Sequence, residues 1–230
     1  MPAVFGGKKE DAKTPEGKEA GWLDRSDRNI ANFGGDRRNI PKLRHHPSPV
    51  YEILNLWNNQ IEELPTSLSL PRLRVLNLGM NRLSVLPRGF GSFQALEILD
   101  LTYNNINERC LPGNFFMIET LRALYLGDND FEVLPAEVRN LKNLQILVLR
   151  ENDLIYLPKE IGELERLREL HLQGNRLTIL PPQLGQLDLI GPRQVLKLDF
   201  DPEICYRRSQ EQLNLGVSHL MDYIRSETYK

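Results

Sequence analysis

Residues 121–131 read LRALYLGDNDF, with leucines at a fixed spacing ahead of a single asparagine. The same arrangement occurs six times between Tyr51 and Leu180. Its asparagines are Asn59, Asn81, Asn104, Asn129, Asn152 and Asn175, separated by 22, 23, 25, 23 and 23 residues. A self-similar period of about 20 to 29 residues predicts a solenoid, in which each unit packs only against its two neighbours.

Each position of the repeat has a physical reason. The two leucines of Leu-x-Leu share one face of a short strand, because side chains alternate along a strand. The asparagine that follows turns the chain, and its amide can bond to backbone groups left unpaired by the turn. A Leu-Pro pair ends the turn in all six repeats, and in the third repeat it follows a two-residue insertion. The residues after the pair have the spacing of a short helical or 3₁₀ turn. We predict an α/β leucine-rich repeat solenoid with a parallel concave sheet and short helical or 3₁₀ segments on its convex side.

The repeat also divides the chain. Residues 1–25 are poor in large apolar groups and predict a disordered tail. Residues 26–50 do not fit the template and are interpreted as an N-terminal cap or an eroded repeat. Residues 51–186 hold six regular repeats, and residues 187–230 predict a C-terminal cap. Within this cap, Ser209 and Gln212 have the spacing of a capping box that opens one helix, with an apolar stripe that runs past Gly216.

Composition argues against several functional classes. The net charge of -2 lacks the basic excess that a general nucleic-acid or anionic-membrane binder needs. No apolar run approaches the roughly 18 residues of a spanning helix, and no secretory signal is apparent. The two cysteines, Cys110 and Cys205, do not form the clusters found beside secreted repeats. We therefore expect a cytoplasmic protein without direct membrane insertion.

No cluster of residues predicts catalysis, a metal or a cofactor. His45 and His46 are adjacent, but no cysteine or further histidine lies at ligand spacing. His171 has no nucleophile beside it in the repeat, and Cys205 has only 25 residues after it. The chain is predicted to be a non-enzymatic binding module with no metal and no cofactor.

The predicted binding surface is the concave face of the sheet. Residues between and just after the two template leucines point away from the core, and they include aromatic, methionine and arginine side chains of the kind enriched at interfaces. Asp100 and Asp128 favour a partner with a basic or zinc-finger-like surface. An alternative is that Tyr103 and Tyr125 only stack on each other along the ladder. The predicted contact residues are Asn55, Trp57, Asn77, Met80, Asp100, Tyr103, Tyr125, Asp128, Arg150 and His171.

Several strings outside the leucine consensus resemble the Ras suppressor family, within the intracellular Ras-associated group of leucine-rich repeat proteins. They include NQIEELP at 59–65, NLGMNRL at 77–83, LPGNFF at 111–116, LGVSH at 215–219 and YIRSETYK at 223–230. The resemblance covers roughly residues 51–230. In two respects the chain departs from the family: residues 26–50 do not supply the repeat that precedes the one at Tyr51, and the family's chain continues beyond Lys230.

The resemblance implies a non-catalytic adaptor that damps Ras-dependent signalling. It implies binding to the last LIM domain of PINCH, within the assembly of integrin-linked kinase, PINCH and parvin at cell-matrix adhesions, with the chain as a monomer in a hetero-complex. Because the same repeat type serves other Ras-pathway complexes, the alternative is a scaffold or regulator of a small GTPase or a protein phosphatase.

Overall fold

The structure, a computed structural model, describes residues 22–31, 51–66, 70–199 and 207–229. In this part of the chain, eight three-residue strands form one parallel sheet in sequence order. The strands are β1 (Trp22–Asp24), β2 (Ile53–Asn55), β3 (Val75–Asn77), β4 (Ile98–Asp100), β5 (Ala123–Tyr125), β6 (Ile146–Val148), β7 (Glu169–His171) and β8 (Val195–Lys197). The predicted leucine-rich repeat solenoid is confirmed.

The template leucines form the core beneath this sheet. The first leucine of each Leu-x-Leu pair stands in register with that of the next repeat, as in the pairing of Leu99 with Leu124 and of Leu124 with Leu147. Both leucines of the pair are buried in every repeat, and Leu99 and Leu101 have no exposed surface. Since burying one leucine contributes about 1.5 to 3 kcal/mol, the continuous stack of leucines is the main stabilising feature.

The six asparagines form a second stack, in which each side chain bonds to two repeats. The Asn129 amide nitrogen donates to the Leu126 oxygen of its own repeat (3.1 Å) and to the Leu101 oxygen of the preceding one (3.0 Å). Its amide oxygen accepts the Ile106 N–H of the preceding repeat at 3.3 Å. The same pattern joins the other repeats at Asn59, Asn81, Asn104, Asn152 and Asn175. We call this stack the asparagine ladder.

Short 3₁₀ helices cover the core on the convex side, as the spacing predicts. They span Arg88–Ser92, Glu108–Cys110, Phe115–Met117, Ala136–Asn140, Lys159–Glu163 and Pro182–Gln186. Prolines of the Leu-Pro pairs stand immediately before four of them, where the fixed φ of proline suits the extended backbone. The two-residue insertion in the third repeat is accommodated by the additional helix at Glu108–Cys110.

The N-terminal end of the sheet differs from the prediction. Strand β1 lies within residues 1–25, which the sequence assigned to a tail, and Leu23 is buried opposite Leu54. After it, Asp27 has a φ of 56°, matching the φ of 52° at Asn58, and Ile30 is buried as Ile61 is. Residues 22–31 are therefore the first half of a repeat, in which Arg28 occupies the place of the asparagine. Residues 1–21 and 32–50 lie outside the described residues.

The C-terminal cap consists of two helices, where the sequence predicts one. Helix α1 (Arg207–Leu215) already includes Ser209, so Ser209 does not cap its start. Gly216 has a φ of 120° and separates α1 from α2 (Val217–Arg225), which buries Leu220, Met221 and Ile224 against the last repeat. The Arg225 guanidinium donates to the carbonyl oxygens of Gly185 (2.8 Å) and Leu187 (3.1 Å). Helix α2 is thus fixed to the end of the solenoid by apolar contacts and by hydrogen bonds, and α1 packs against α2.

The asparagine ladder gives a direct test of the fold. Replacing Asn129 by alanine leaves the buried Ile106 N–H without its partner. The Leu101 and Leu126 carbonyls each lose one of two asparagine bonds and keep those from Asn104 and Asn152. An unpaired buried group costs about 1 to 3 kcal/mol, and each further lost bond about 0.5 to 1.5 kcal/mol. We expect Asn129→Ala to lower the free energy of unfolding by several kcal/mol in urea denaturation. The control is Asn105→Ala, since Asn105 is an exposed neighbour of Asn104. Equal stability of the two variants would contradict this role for the ladder.

Candidate functional site

The concave face is the surface of the sheet that points away from the leucine core. Along each strand it presents the residue before the first template leucine, the residue between the two leucines, and the residue after the second. The residue before the first leucine is not among the predicted contact residues, although the alternation that defines the face places it there. This column is mostly apolar and half-buried, and consists of Ile53, Val75, Ile98, Ala123, Ile146, Glu169 and Val195.

The central column contains five of the predicted contact residues, and three of them are buried. Asn55, Asn77 and Asp100 are 8%, 2% and 6% exposed. Each accepts, through its side-chain oxygen, the backbone N–H two residues further on, at 3.1, 3.0 and 2.9 Å. These side chains therefore hold the strand ends in shape, and little of their surface is available to a partner. Tyr125 and His171 are half-buried in the same column, and Lys197 extends it on β8 as an exposed cation.

Burial also sets the protonation behaviour of this column. Loss of solvent raises the pKa of Asp100 above 3.8, and its hydrogen bonds with Thr102 and the nearby Arg150 charge only partly oppose the shift. Burial, followed by the charges of Asp100 and Glu169, raises the pKa of Tyr125 above 10.0. The Tyr125 phenol is therefore neutral and can act as a hydrogen-bond donor at neutral pH.

The most exposed part of the face is the column at the turn after each strand. Its residues adopt left-handed backbone conformations, including Met80 at a φ of 51° and Tyr103 at 55°. A methionine or tyrosine is unusual there, because the left-handed region costs a residue with a Cβ roughly 1 to 2 kcal/mol. The Met80 and Tyr103 side chains are 41% and 46% exposed. Strained residues that hold apolar side chains in solvent are frequent at functional sites.

Two large side chains in the neighbouring column lie over glycines. A methyl group at Gly79 would clash with Cζ3 of Trp57, so the indole ring rests on the Gly79 backbone. Similarly, a methyl group at Gly127 would lie 3.1 Å from Cγ of Arg150. The glycines therefore allow Trp57 and Arg150 to lie flat across the sheet, where they form part of the concave face.

Arg150 contacts two other predicted contact residues, Asp128 and Tyr103. Its guanidinium is 2.8 Å from the Asp128 carboxylate and its Cζ is 5.9 Å from the centre of the Tyr103 ring. Asp128 therefore already has a basic partner within the chain, and Asp100 is buried. The two aspartates do not form the exposed acidic surface that the sequence suggested. What the arrangement offers a partner is mainly aromatic and apolar surface, with Arg150 held in a fixed position beside Tyr103.

The β7 end of the face carries unpaired polar groups. His171 Nε2 and Gln173 Oε1 are buried and have no hydrogen-bond partner among the described residues. The nearest carboxylate oxygen to His171, on Glu169, is 3.8 Å away. Burial and the Lys197 charge lower the pKa of His171 below 6.5, against the opposing effect of Glu169. Buried polar atoms without partners are uncommon in proteins, and a ligand that supplied hydrogen bonds would stabilise them.

The described ranges hold no group of three or more His, Cys, Asp and Glu residues that could bind a metal ion. They also contain no helix of the length and apolarity that crossing a membrane requires. His45, His46 and Cys205 lie outside the described residues. Cys110 is a half-buried free thiol that bonds to Asn107.

Comparison with known proteins agrees with this architecture. A family model described as a leucine-rich repeat region matches residues 89–198, and a leucine-rich repeat model matches residues 52–106. A solved leucine-rich repeat protein of Leptospira interrogans is 36% identical, with a TM-score of 0.61, over 65% of this chain and 37% of its own. A crystal structure of a TDR receptor is 27% identical, with a TM-score of 0.57, over 67% of this chain and 28% of its own. The chain is a leucine-rich repeat protein.

Among curated proteins, the chain is similar to human Ras suppressor protein 1, with 70% identity over 125 residues. The match covers 54% of this chain and 44% of the human protein, and a bovine Ras suppressor protein 1 matches at the same identity over 123 residues. Human lumican is 36% identical over 90 residues. The predicted resemblance to the Ras suppressor family is confirmed, and the matched segment spans less than half the length of these relatives.

The buried Asp100 gives a pH-dependent prediction. Burial raises the pKa of Asp100 in the folded state above its value in the unfolded state. The stability that the neutral carboxyl contributes is therefore fully present at a pH below the unfolded-state pKa, and it is lost as the pH rises through the folded-state pKa. Asparagine makes the same turn bond at positions 55 and 77. We expect Asp100→Asn to raise the free energy of unfolding at neutral pH by on the order of 1 kcal/mol, with the gain shrinking in acid.

Urea denaturation across the acidic to neutral range measures this difference. Asp130→Asn is the matched control, since Asp130 is an exposed aspartate on the following repeat. If Asp100→Asn were less stable than the wild type at neutral pH, the carboxylate's hydrogen bonds would outweigh its burial and the account of Asp100 would be wrong.

Proposed function

We propose that the chain is a non-catalytic adaptor that binds another protein on its concave face. The observation that carries this proposal is the row of accessible apolar side chains on an otherwise well-packed sheet. Met80 and Tyr103 project from strained turns, and Trp57 and Tyr125 lie beside them, half-buried. Aromatic side chains and methionine are enriched in the buried centres of protein interfaces. The leucine-rich repeat class supports a protein-interaction role.

The partner that we propose is the last LIM domain of PINCH, in the adhesion assembly with integrin-linked kinase and parvin. Support comes from the identity of 70% to Ras suppressor protein 1 over half the chain. The strings at 59–65, 77–83, 111–116, 215–219 and 223–230, which resemble the same family, add to it. In this proposal the chain acts in the cytoplasm at cell-matrix adhesions and modulates Ras signalling as one member of a hetero-complex.

The geometry changes which residues are expected to supply the affinity. Asn55, Asn77 and Asp100 have their side-chain oxygens bonded to the backbone, and Asp128 is paired with Arg150. The binding energy is therefore assigned to Trp57, Met80, Tyr103 and Tyr125. His171 and Gln173 would supply hydrogen bonds at one end of the interface, because their buried polar atoms are unpaired.

A pair of substitutions separates binding from stability. Tyr103→Asn removes the ring but keeps a residue type that tolerates the left-handed region, and Tyr125→Ala removes the neighbouring ring on β5. We expect the double variant to bind the LIM domain at least about tenfold more weakly, since interface aromatics commonly contribute more than 1 kcal/mol each. Titration calorimetry with the purified LIM domain measures this loss.

The control is Met117→Asn, which removes an apolar side chain that is 67% exposed in a convex 3₁₀ helix. This variant should bind as the wild type does. Circular dichroism should show that both proteins remain folded. Affinity of the double variant within about twofold of the wild type would show that the partner does not use the concave aromatics.

The same binding experiment tests the alternative function, a scaffold for a small GTPase or a protein phosphatase. If the wild-type chain binds no LIM domain, but captures a GTPase or phosphatase subunit that the Tyr103→Asn/Tyr125→Ala variant loses, the concave site is retained and the PINCH assignment is overturned.

A further inference from the structure

A second apolar surface lies on the side of the solenoid, where the chain passes from the asparagine turns to the convex helices. Ile155, Tyr156 and Ile179 are 43%, 47% and 40% exposed, and Val133 beside them is half-buried. Parallel bridges join Val133 to Tyr156 and Tyr156 to Ile179, so these side chains stand in adjacent positions on consecutive repeats. We call these four residues the lateral patch. The concave face does not include it.

The backbone edges beside the lateral patch are already occupied. On one side, the Glu132 N–H donates to the Glu108 carboxylate at 3.3 Å. On the other side, the Tyr229 hydroxyl bonds to both the N–H and the carbonyl oxygen of Leu180. An added strand would need these backbone groups. A partner therefore meets the lateral patch through side chains, and strand addition at either edge is blocked.

The charges around the lateral patch favour a basic partner. Asp130, Glu132 and Asp153 are exposed on the repeats that carry Val133, Ile155 and Tyr156. Asp130 and Asp153 occupy equivalent positions on consecutive repeats, directly after the ladder residues Asn129 and Asn152. Within the described part of the chain, none of the three acids forms an ion pair. Arg176 occupies the equivalent position on the next repeat and ends this acidic edge.

From this arrangement we infer that the lateral patch is a second docking surface, and that its occupant is a basic segment of a partner protein. The segment places apolar side chains on Ile155, Tyr156 and Ile179, and its lysines or arginines face Asp130, Glu132 and Asp153. Exposed apolar surface bordered by one sign of charge is a recognised feature of protein-binding sites. An adaptor with both surfaces could hold two proteins at once, because the lateral patch and the concave face do not share residues.

The test uses two synthetic peptides in which leucine and phenylalanine alternate with either lysine or glutamate. Fluorescence anisotropy measures their affinity for the full chain, and backbone amide shifts in nuclear magnetic resonance locate the contact. We expect the lysine peptide to bind, the glutamate peptide not to bind, and the shift changes to centre on residues 153–156 and 179. Absence of lysine-peptide binding, or shift changes centred on the concave face, would overturn the inference.

Matched variants make the test specific. Ile155→Ser with Tyr156→Ser should weaken lysine-peptide binding about tenfold, as loss of interface anchors does. Asp130→Asn with Asp153→Asn should weaken it about threefold and reduce its salt dependence, as expected for exposed charges. Val85→Ser is the control, because Val85 is 49% exposed at the position equivalent to Tyr156 on the second repeat, away from these acids.

Two further results distinguish the inference from its rivals. The Ile155→Ser/Tyr156→Ser variant should retain concave-face binding of the LIM domain, which shows that its fold is intact. Sedimentation velocity should show a monomer for both the wild type and the variant. A wild-type dimer that the variant loses would show that a second copy of the chain covers the lateral patch, and the basic-partner inference would then be wrong.

Discussion

The structure depends on the hydrogen bonds of one carboxamide in each of the six regular repeats, which is buried in five of them and half-buried at Asn175. A single asparagine side chain donates to the carbonyl of its own strand and to that of the preceding repeat, and accepts an N–H from the preceding repeat. Aspartate could not replace it, because a carboxylate has no donor. Alanine would leave the N–H of the preceding repeat unpaired, and each carbonyl would keep only one of its two asparagine bonds. The asparagine ladder thus fixes the separation and alignment of neighbouring repeats, while the leucines beside it contribute most of the buried apolar surface.

This division of tasks leaves the concave face free to vary. Because the leucines and asparagines build the core and the turns, residues on the concave face need only be compatible with a strand. Even so, the face is not independent of the fold: Asn55, Asn77 and Asp100 bond to the turns, and Gly79 and Gly127 allow Trp57 and Arg150 to lie flat. Residues that support the fold and residues available to a partner therefore occupy the same columns of the concave face.

The sequence predicts the regular part of this protein well, since period and alternation determine it. The six repeats, the parallel sheet, the convex 3₁₀ helices and the role of the asparagines all follow from spacing. Deviations from the template could not be predicted in the same way. The half-repeat at residues 22–31 carries Arg28 at the asparagine position, and Gly216 divides the cap helix through a φ of 120°. The burial of Asp100 and the pairing of Asp128 with Arg150 depend on neighbouring repeats, so a pattern read along one repeat does not show them. By contrast, the alternation of side chains along a strand is enough to predict the apolar column that includes Ile53 and Ile98.

Hydrogen exchange at five backbone amides tests the central claim most directly. The N–H groups of Ile61, Leu83, Ile106, Phe131 and Leu154 lie outside the strands and helices, and each donates to the asparagine of the next repeat. If the asparagine ladder couples the repeats, these five amides exchange as slowly as the amides of the β-strands, and Asn129→Ala accelerates exchange at residue 106 first. Exchange at the rate of the exposed turn amides would show that the repeats are held by leucine packing alone, and would contradict the account.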